Sequence, residues 1–151
     1  QVVGGLETAH PPGFDLHTVR ISNGRDYDVW LNLDHGRWLR TLDEQFELVW
    51  ATGWEHEAPR LLGPLLGLPD MPVIEFTHRP VFGVPLWKLP DVAEFVGDRS
   101  VAWIDDDIDI AVESWASQRT SPTLLIKTDR TIGLTRSHIS ELVAFGARVV
   151  G

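Results

Sequence analysis

The ten residues 100–109 read SVAWIDDDID, and they join an apolar run directly to a cluster of aspartates. A short apolar run such as SVAWID is typical of a buried β-strand, so the carboxylates fall where that strand ends. Two carboxylates about 4 Å apart repel by roughly 4 kcal/mol at an effective dielectric of 20. We therefore expect the cluster to be spread into water, protonated or neutralised by a cation.

The sequence on both sides of this stretch alternates between apolar strands and helical segments. Asp34 is the predicted N-cap of the first helix. Because parallel strands need crossover connections, the alternation predicts an α/β fold, a three-layer Rossmann-like parallel sheet with helices on both faces. The predicted strands are FELVWAT (46–52), MPVIEF (71–76), SVAWID (100–105) and TLLIK (123–127), and the predicted helices cover residues 35–45, 55–66, 90–97, 109–118 and 136–149.

The N-terminal part of the chain has a different pattern. In HTVRISNGRDYDVWLN (17–32) apolar residues alternate around Asn23-Gly24. This pattern predicts a β-hairpin with strands near 17–22 and 26–31. A chain of 151 residues with 43% hydrophobic composition fits one domain. We expect that domain to cover 1–151, with a hairpin region at 1–33 and an α/β core at 34–151.

Composition excludes several classes of function. The absence of cysteine excludes disulfides and thiolate metal sites. A formal net charge of −9 argues against non-specific nucleic-acid binding, which depends on Lys and Arg. No run reaches the roughly 18 apolar residues that a membrane span requires, so we expect no membrane contact and take the cytoplasm as the default compartment. The oligomeric state is not indicated by any of these features.

Ligands of parallel sheets bind outside the carboxyl ends of the strands, and Thr52 ends the predicted strand FELVWAT. A hydroxyl beside a helix N-terminus suits an anion such as phosphate. An ordinary N-cap threonine is the alternative. Gly53, Trp54 and His56 follow at once, which makes them candidates for contact with a substrate.

Asp105 and Asp106 follow the strand SVAWID. One aspartate would suffice to cap the next helix, and hard carboxylate oxygens suit Mg²⁺, which usually takes one or two of them plus substrate phosphate. Lys88 lies at the end of a long loop and would supply the cationic element of an anion site. The alternatives are a solvated helix N-terminus for the aspartates and a surface position for Lys88.

A calcium loop is a competing interpretation of the acidic cluster. Asp105, Asp107 and Asp109 alternate as they do in an EF-hand. The glycine and the glutamate that such a loop requires are replaced here by Ile110 and Ala116. The sequence therefore excludes an EF-hand.

The order VWATGW (49–54), PLWKLP (85–90) and AWIDDD (102–107) resembles motifs two, three and four of the haloacid dehalogenase superfamily of phosphohydrolases. More closely, the text from GRDYDVWLN (24–32) to GLTRSHISELVAF (133–145) is similar to the haloacid dehalogenase domain of Swiss Army Knife RNA repair proteins. The resemblance implies that Thr52 binds a phosphoryl oxygen, that Lys88 steadies the nucleophile and that Asp105 with Asp106 holds Mg²⁺. Receiver domains of response regulators use similar groups, but their acidic pair comes first.

The superfamily's first motif, an Asp-x-Asp that supplies the nucleophile, does not occur before Thr52. Asp26 and Asp28 have the spacing but lie in the predicted hairpin. In the family, the strand that carries this motif lies centrally, between the strands of motifs two and four. The chain begins with Gln1 and its only methionine is Met71, so we expect the missing strand to lie upstream.

The resemblance implies a Mg²⁺-dependent phosphohydrolase that acts through an aspartyl-phosphate. Its substrate would be a phosphorylated small molecule or a nucleic-acid end, the latter by association with RNA repair alone. The alternative is a non-catalytic module that binds phosphate or a protein partner and lacks the nucleophile.

Overall fold

A computed structural model describes residues 13–77 and 87–150 as a mixed α/β arrangement. Within these residues four strands form two separate two-stranded sheets, and five α-helices surround them. No helix in these two ranges has the length and apolar character needed to cross a bilayer. The strands are β1 Asp15–Arg20, β2 Asp26–Leu31, β3 Val101–Asp105 and β4 Thr123–Lys127; the helices are α1 Leu33–Leu42, α2 Gly63–Leu66, α3 Leu89–Val96, α4 Ile110–Gln118 and α5 Arg136–Val150, with a π-helical turn Ala58–Leu62 directly before α2.

The predicted N-terminal hairpin is present. β1 pairs with β2 in antiparallel register, with Arg20 opposite Asp26. At the turn Gly24 adopts a φ of 87°, a left-handed conformation that glycine takes without steric cost, and the side chain of Asn23 accepts the N–H of Arg25 at 2.9 Å. β1 ends two residues before the predicted boundary because Ile21 already takes part in the turn, through its N–H bond to the Arg25 carbonyl.

The second predicted pair of strands is also present, joined by a helix. β3 and β4 run parallel, with Trp103 opposite Leu125. The connection is α4, whose N-cap Asp109 accepts hydrogen bonds from the N–H groups of Ala111 and Val112, both at 3.1 Å. This β3–α4–β4 unit is the crossover that the alternating pattern predicts.

The predicted strands at 46–52 and 71–76 are reduced to a single parallel bridge between Trp50 and Val73. The N–H of Trp50 donates to Pro72, and the N–H of Ile74 donates to Trp50, both at 2.9 Å. The direction of these segments is the predicted one, but the regular pairing is not. An isolated pair of strands is marginal without further neighbours, which is the physical reason for the short bridge.

Two helix predictions are corrected. Asn32, not Asp34, caps α1, since its side chain accepts the N–H of Asp34 at 3.0 Å. The segment 55–66 is not one helix but a turn, the π-helical turn and the four-residue α2. Pro59 and Pro64 explain the interruption because each lacks the N–H group that a continuous α-helix would use.

Apolar clusters cover both faces of the β3–β4 pair. On one face Trp103 of β3 packs with Val92 and Val96 of α3. On the other face Ile126 of β4 packs with Leu42 and Leu142, from α1 and α5. Strands that are buried on both faces read as continuous apolar runs, which explains the pattern of SVAWID and TLLIK.

His35 of α1 gives a test of this packing. Its ring is only 3% exposed and meets the ring of Phe14 edge-on at 5.5 Å, and this burial lowers the pKa of His35 to about 4. A depressed pKa means that stability is fully present above the unfolded value of 6.5 and is lost as the pH falls toward 4. We expect a loss of about 1–2 kcal/mol between pH 7.5 and pH 4.5, after allowance for solvent screening.

The measurement is urea unfolding at the two pH values, with His35→Gln beside the unsubstituted chain. The glutamine does not titrate, so the variant should lose less stability on acidification. An equal pH dependence in both proteins would contradict the assignment of the loss to His35.

Candidate functional site

The carboxyl end of β3 carries a buried ion pair. Lys88 directly precedes α3, and its Nζ lies 2.7 Å from Oδ2 of Asp105, the last residue of β3. The two side chains are 16% and 6% exposed. Asp105 also accepts the N–H of Asp107 at 3.0 Å and faces the indole N–H of Trp103 at 3.4 Å. The carboxylate is therefore held in one orientation by three donors.

The pKa values of the neighbouring Asp105 and Asp106 carboxyl groups are shifted in opposite directions. Burial favours a raised pKa for Asp105, but the charge and hydrogen bond of Lys88 outweigh it, and the pKa lies below the ordinary value. The pKa of Asp106 is raised, first by burial and then by its hydrogen bond with Asp105 and the charges of Asp105 and Asp107. Asp105 therefore stays negatively charged to lower pH than Asp106 does.

Three aspartates offer a candidate metal centre. Asp105, Asp106 and Asp107 each present one carboxylate oxygen, and the three atoms lie within 4.8 Å of one another. Arg130 approaches from outside, with Nη2 2.7 Å from Oδ1 of Asp107 and Nε 3.7 Å from Oδ2 of Asp106. Hard oxygen donors at this spacing suit a small divalent cation such as Mg²⁺.

Thr52 lies on the same cavity as this cluster. The cavity has a volume of about 650 Å³, and its walls include Thr52, Lys88, Asp105 and Asp106. The Thr52 hydroxyl accepts the N–H of Trp54 at 3.2 Å. This bond lies within a turn and is not a helix N-cap, because the next helical segment begins at Ala58 and its N-cap is Glu57. Thr52 lines the cavity, but no helix of the described residues begins directly after it, so neither the N-cap prediction nor the predicted adjacent helix N-terminus is met.

The three predicted substrate contacts, Gly53, Trp54 and His56, differ in their position relative to this cavity. Gly53 lies against Trp87, since a Cβ at this position would be 3.2 Å from the indole Cη2, and Trp54 lines the cavity beside Thr52. His56 is not brought to the site: in the described part of the chain it lines neither of the two cavities, and its Nε2 is 2.7 Å from an oxygen of the exposed Glu75.

A second cavity of about 650 Å³, here called the acidic pocket, opens on the outer side of the aspartates. Its charged and polar walls are Lys88, Asp105, Asp106, Asp107, Asp109, Lys127, Thr128, Asp129 and Arg130. Lys127 stands opposite Asp105 in the β3–β4 register, so the end of TLLIK belongs to the same edge as the end of SVAWID. The sequence signal that could have identified Lys127 is its place as the last residue of the predicted strand TLLIK.

Comparison of this chain with family models, with curated proteins and with solved structures found no match. The resemblance to the haloacid dehalogenase superfamily therefore stays a prediction that rests on the quoted motifs.

Proposed function

We propose that this chain forms the core of a Mg²⁺-dependent phosphohydrolase of the haloacid dehalogenase type, with a Rossmann-like sheet. The observation that supports the proposal is the Lys88–Asp105 pair at 2.7 Å, on a cavity that also exposes Thr52 and Asp106. These groups come from three separate parts of the chain and line one cavity. Lys88 and Asp105 lie at the carboxyl end of β3, the end at which parallel sheets bind ligands.

Each group has a distinct part in binding a phosphate ester. Asp105 and Asp106 would hold Mg²⁺, and the ion would supply positive charge for the phosphoryl oxygens. Lys88 adds a fixed positive charge beside the metal. The Thr52 hydroxyl accepts a backbone N–H, so its own proton is available for donation to a phosphoryl oxygen.

In this proposal the nucleophile is the first aspartate of the superfamily's Asp-x-Asp motif, a role that the family resemblance implies and that no aspartate before Thr52 fills. Its carboxylate attacks phosphorus as the ester P–O bond breaks, and the departing alkoxide takes a proton from a water molecule. A second water then hydrolyses the aspartyl-phosphate, which releases phosphate and regenerates the aspartate. Asp26 and Asp28 do not fill this role: Asp26 pairs with Arg20 at 2.8 Å, and Asp28 accepts the hydroxyl of Thr18 at 2.7 Å, both on the exposed hairpin.

The proposed substrate is a phosphate ester of a small molecule or of a nucleic-acid end. The connection with RNA repair rests on the family resemblance alone. A non-catalytic phosphate-binding or partner-binding module is the second candidate. It is favoured by one observation, namely that Asp26 and Asp28, which have the spacing of the nucleophile motif, are paired on the exposed hairpin and line neither cavity.

Asp106→Asn tests the metal centre and keeps the Lys88–Asp105 pair intact. We expect the variant to bind Mg²⁺ at least about tenfold more weakly by calorimetric titration, because one of few hard anionic ligands becomes a neutral amide. The rise in Tm that Mg²⁺ produces should shrink accordingly. For the unsubstituted chain, affinity should also increase as the pH rises, because the raised pKa of Asp106 delays formation of its carboxylate.

Asp98→Asn is the matched control, since Asp98 is exposed and precedes the opposite, amino end of β3. Its Mg²⁺ affinity should equal that of the unsubstituted chain. Equal affinities in all three proteins would remove Asp106 from the metal centre and leave the phosphohydrolase proposal without its cofactor.

A further inference from the structure

Two aromatic side chains lie beside Thr52 and have no part in the phosphate chemistry derived above. Trp54 follows Thr52 by two residues, so the Cα atoms of these residues are at most about 7 Å apart. Trp54 also lines the same cavity as Thr52. The ring of Tyr27, from β2 of the hairpin, meets the Trp54 ring edge-on, with the ring centroids 5.9 Å apart. Tyr27 and Trp54 are here called the aromatic pair.

The aromatic pair keeps surface that a ligand can reach. Tyr27 lies on the same face of the hairpin as Val29 and Leu31, because alternate residues of a strand share a face. Val29 and Leu31 are fully buried, whereas Tyr27 is 41% exposed. In an edge-on pair, the ring that presents its edge keeps both of its faces clear of the other ring. The pair therefore offers aromatic surface next to the hydroxyl of Thr52.

The turn that carries Trp54 is held in a defined conformation. The carbonyl of Thr52 accepts the N–H of Glu55 at 2.9 Å, and Glu55 adopts a φ of 46°, a left-handed conformation that is strained for a residue other than glycine. Glu57 accepts the N–H of Ser22 at 2.8 Å, which joins the turn to the hairpin. Strained residues of this kind are concentrated at binding and catalytic sites. The arrangement thus fixes Trp54 relative to both Thr52 and the hairpin.

The chemistry of two aromatic rings indicates what they bind. The face of such a ring carries partial negative charge and its edge partial positive charge, so it pairs with another flat ring by stacking or by edge-on contact. Stacking of this kind is tolerant of the identity of the ring, since every nucleobase has an aromatic face. A ring that lies here is close to Thr52, so it is part of the same molecule as a phosphate bound by that hydroxyl.

We propose that the aromatic pair binds the alcohol part of the substrate, and that this alcohol carries a flat aromatic ring, as a nucleoside or an aryl alcohol does. The ring stacks on Tyr27 or Trp54 while the phosphoryl group contacts Thr52. The inference rests on the proposed function, because it takes Thr52 as a phosphoryl contact. It narrows the substrate from phosphate esters in general to esters with a planar ring within reach of the phosphate.

The first test compares ligands that each lack one part, by calorimetric titration of the 151-residue chain in the presence of Mg²⁺. Adenosine monophosphate (AMP) has a phosphate and a base, ribose 5-phosphate lacks the base, and adenosine lacks the phosphate. We expect AMP to bind at least about fivefold more tightly than either fragment, which is the lower end of the contribution from stacking one base. Phenyl phosphate distinguishes an aryl ester from a nucleoside, and tighter binding of either ligand than of ribose 5-phosphate supports the proposal.

The second test changes the aromatic pair itself. Tyr27→Leu removes one ring and should weaken AMP binding about fivefold, with the Kd of ribose 5-phosphate unchanged. Tyr27→Phe keeps the ring and should bind AMP as the unsubstituted chain does. Leu16→Ala is the matched control, because Leu16 is exposed on the opposite face of the same hairpin, and it should not change either Kd. The comparison of ligands on the unsubstituted chain does not depend on the folding of any variant.

The failure of this inference and that of the proposed function give different results. If neither AMP nor phenyl phosphate binds more tightly than ribose 5-phosphate, the aromatic subsite is overturned and the phosphate site remains. If AMP binds no more tightly than adenosine, the phosphate makes no contact at Thr52, and both proposals fail. Unchanged AMP affinity in Tyr27→Leu, or an equal loss for AMP and ribose 5-phosphate, would also contradict the assignment of the ring to Tyr27 and Trp54.

Discussion

Lys88→Met is expected to lower the free energy of unfolding by about 3–5 kcal/mol, because it leaves the carboxylate of Asp105 buried without its cation. The Asp105 side chain is only 6% exposed, so the ammonium group at 2.7 Å provides most of the compensation for its charge. Urea unfolding at pH 7 measures the loss. The loss should shrink in acid, where Asp105 becomes protonated and no charge remains buried.

Lys127→Met is the matched control, since Lys127 is exposed at the end of the adjacent strand. Its expected change is within about 0.5 kcal/mol. Lys88→Met combined with Asp105→Leu should recover much of the lost stability, because the double variant buries no unpaired charge. Similar losses for Lys88→Met and Lys127→Met would show that the pair at the end of β3 contributes no more than a surface lysine.

Gly36→Ala is expected to lower the free energy of unfolding by about 3 kcal/mol, at the upper end of the range for overpacked sites. A Cβ at position 36 would lie 2.8 Å from the carbonyl carbon of Leu66 and closer still to its oxygen. These are backbone atoms, so α1 and α2 have to separate. The gain of about 1 kcal/mol in helix propensity is too small to offset this contact.

Gly63→Ala is the control for that effect, because Gly63 is also a buried helical glycine. The nearest atom to a Cβ there is the Ala58 oxygen at 3.9 Å, an ordinary contact. We expect a change between zero and a gain of about 1 kcal/mol. Thermal and urea unfolding measure the change in stability of both variants. A Gly36→Ala protein as stable as the Gly63→Ala protein would contradict the close approach of α1 to α2.

The elements that could be predicted from the sequence are those whose signals are local. Asn23-Gly24 determines the hairpin turn, and Asp109 caps the helix between β3 and β4. The runs at 46–52 and 71–76 are as apolar as β3, yet they form only the Trp50–Val73 bridge. Regular pairing depends on neighbouring strands, which a local pattern does not contain.

The same distinction applies to the candidate site. The ends of predicted strands located Asp105, Asp106 and Thr52, and the structure places all three on one cavity with Lys88. The sequence predicts only Asp105 and Asp106 as metal ligands, because these two residues match the family motif at the strand end. The position of Asp107 in the cluster depends on the turn in which its N–H donates to Asp105. The pairing of His56 with Glu75 joins residues 19 positions apart, and no local signal indicates it.

The β1–β2 hairpin contacts the turn that follows Thr52. These contacts limit where a tag can be inserted in the protein. The Tyr27 ring meets Trp54 edge-on at 5.9 Å, and the N–H of Ser22 donates to Glu57 at 2.8 Å. Both partners lie within five residues of Thr52. The hairpin tip at Asn23-Gly24 is exposed, but a fluorescent tag or affinity epitope inserted there would displace these contacts and disturb the candidate site. The tip is therefore a poor position for a label.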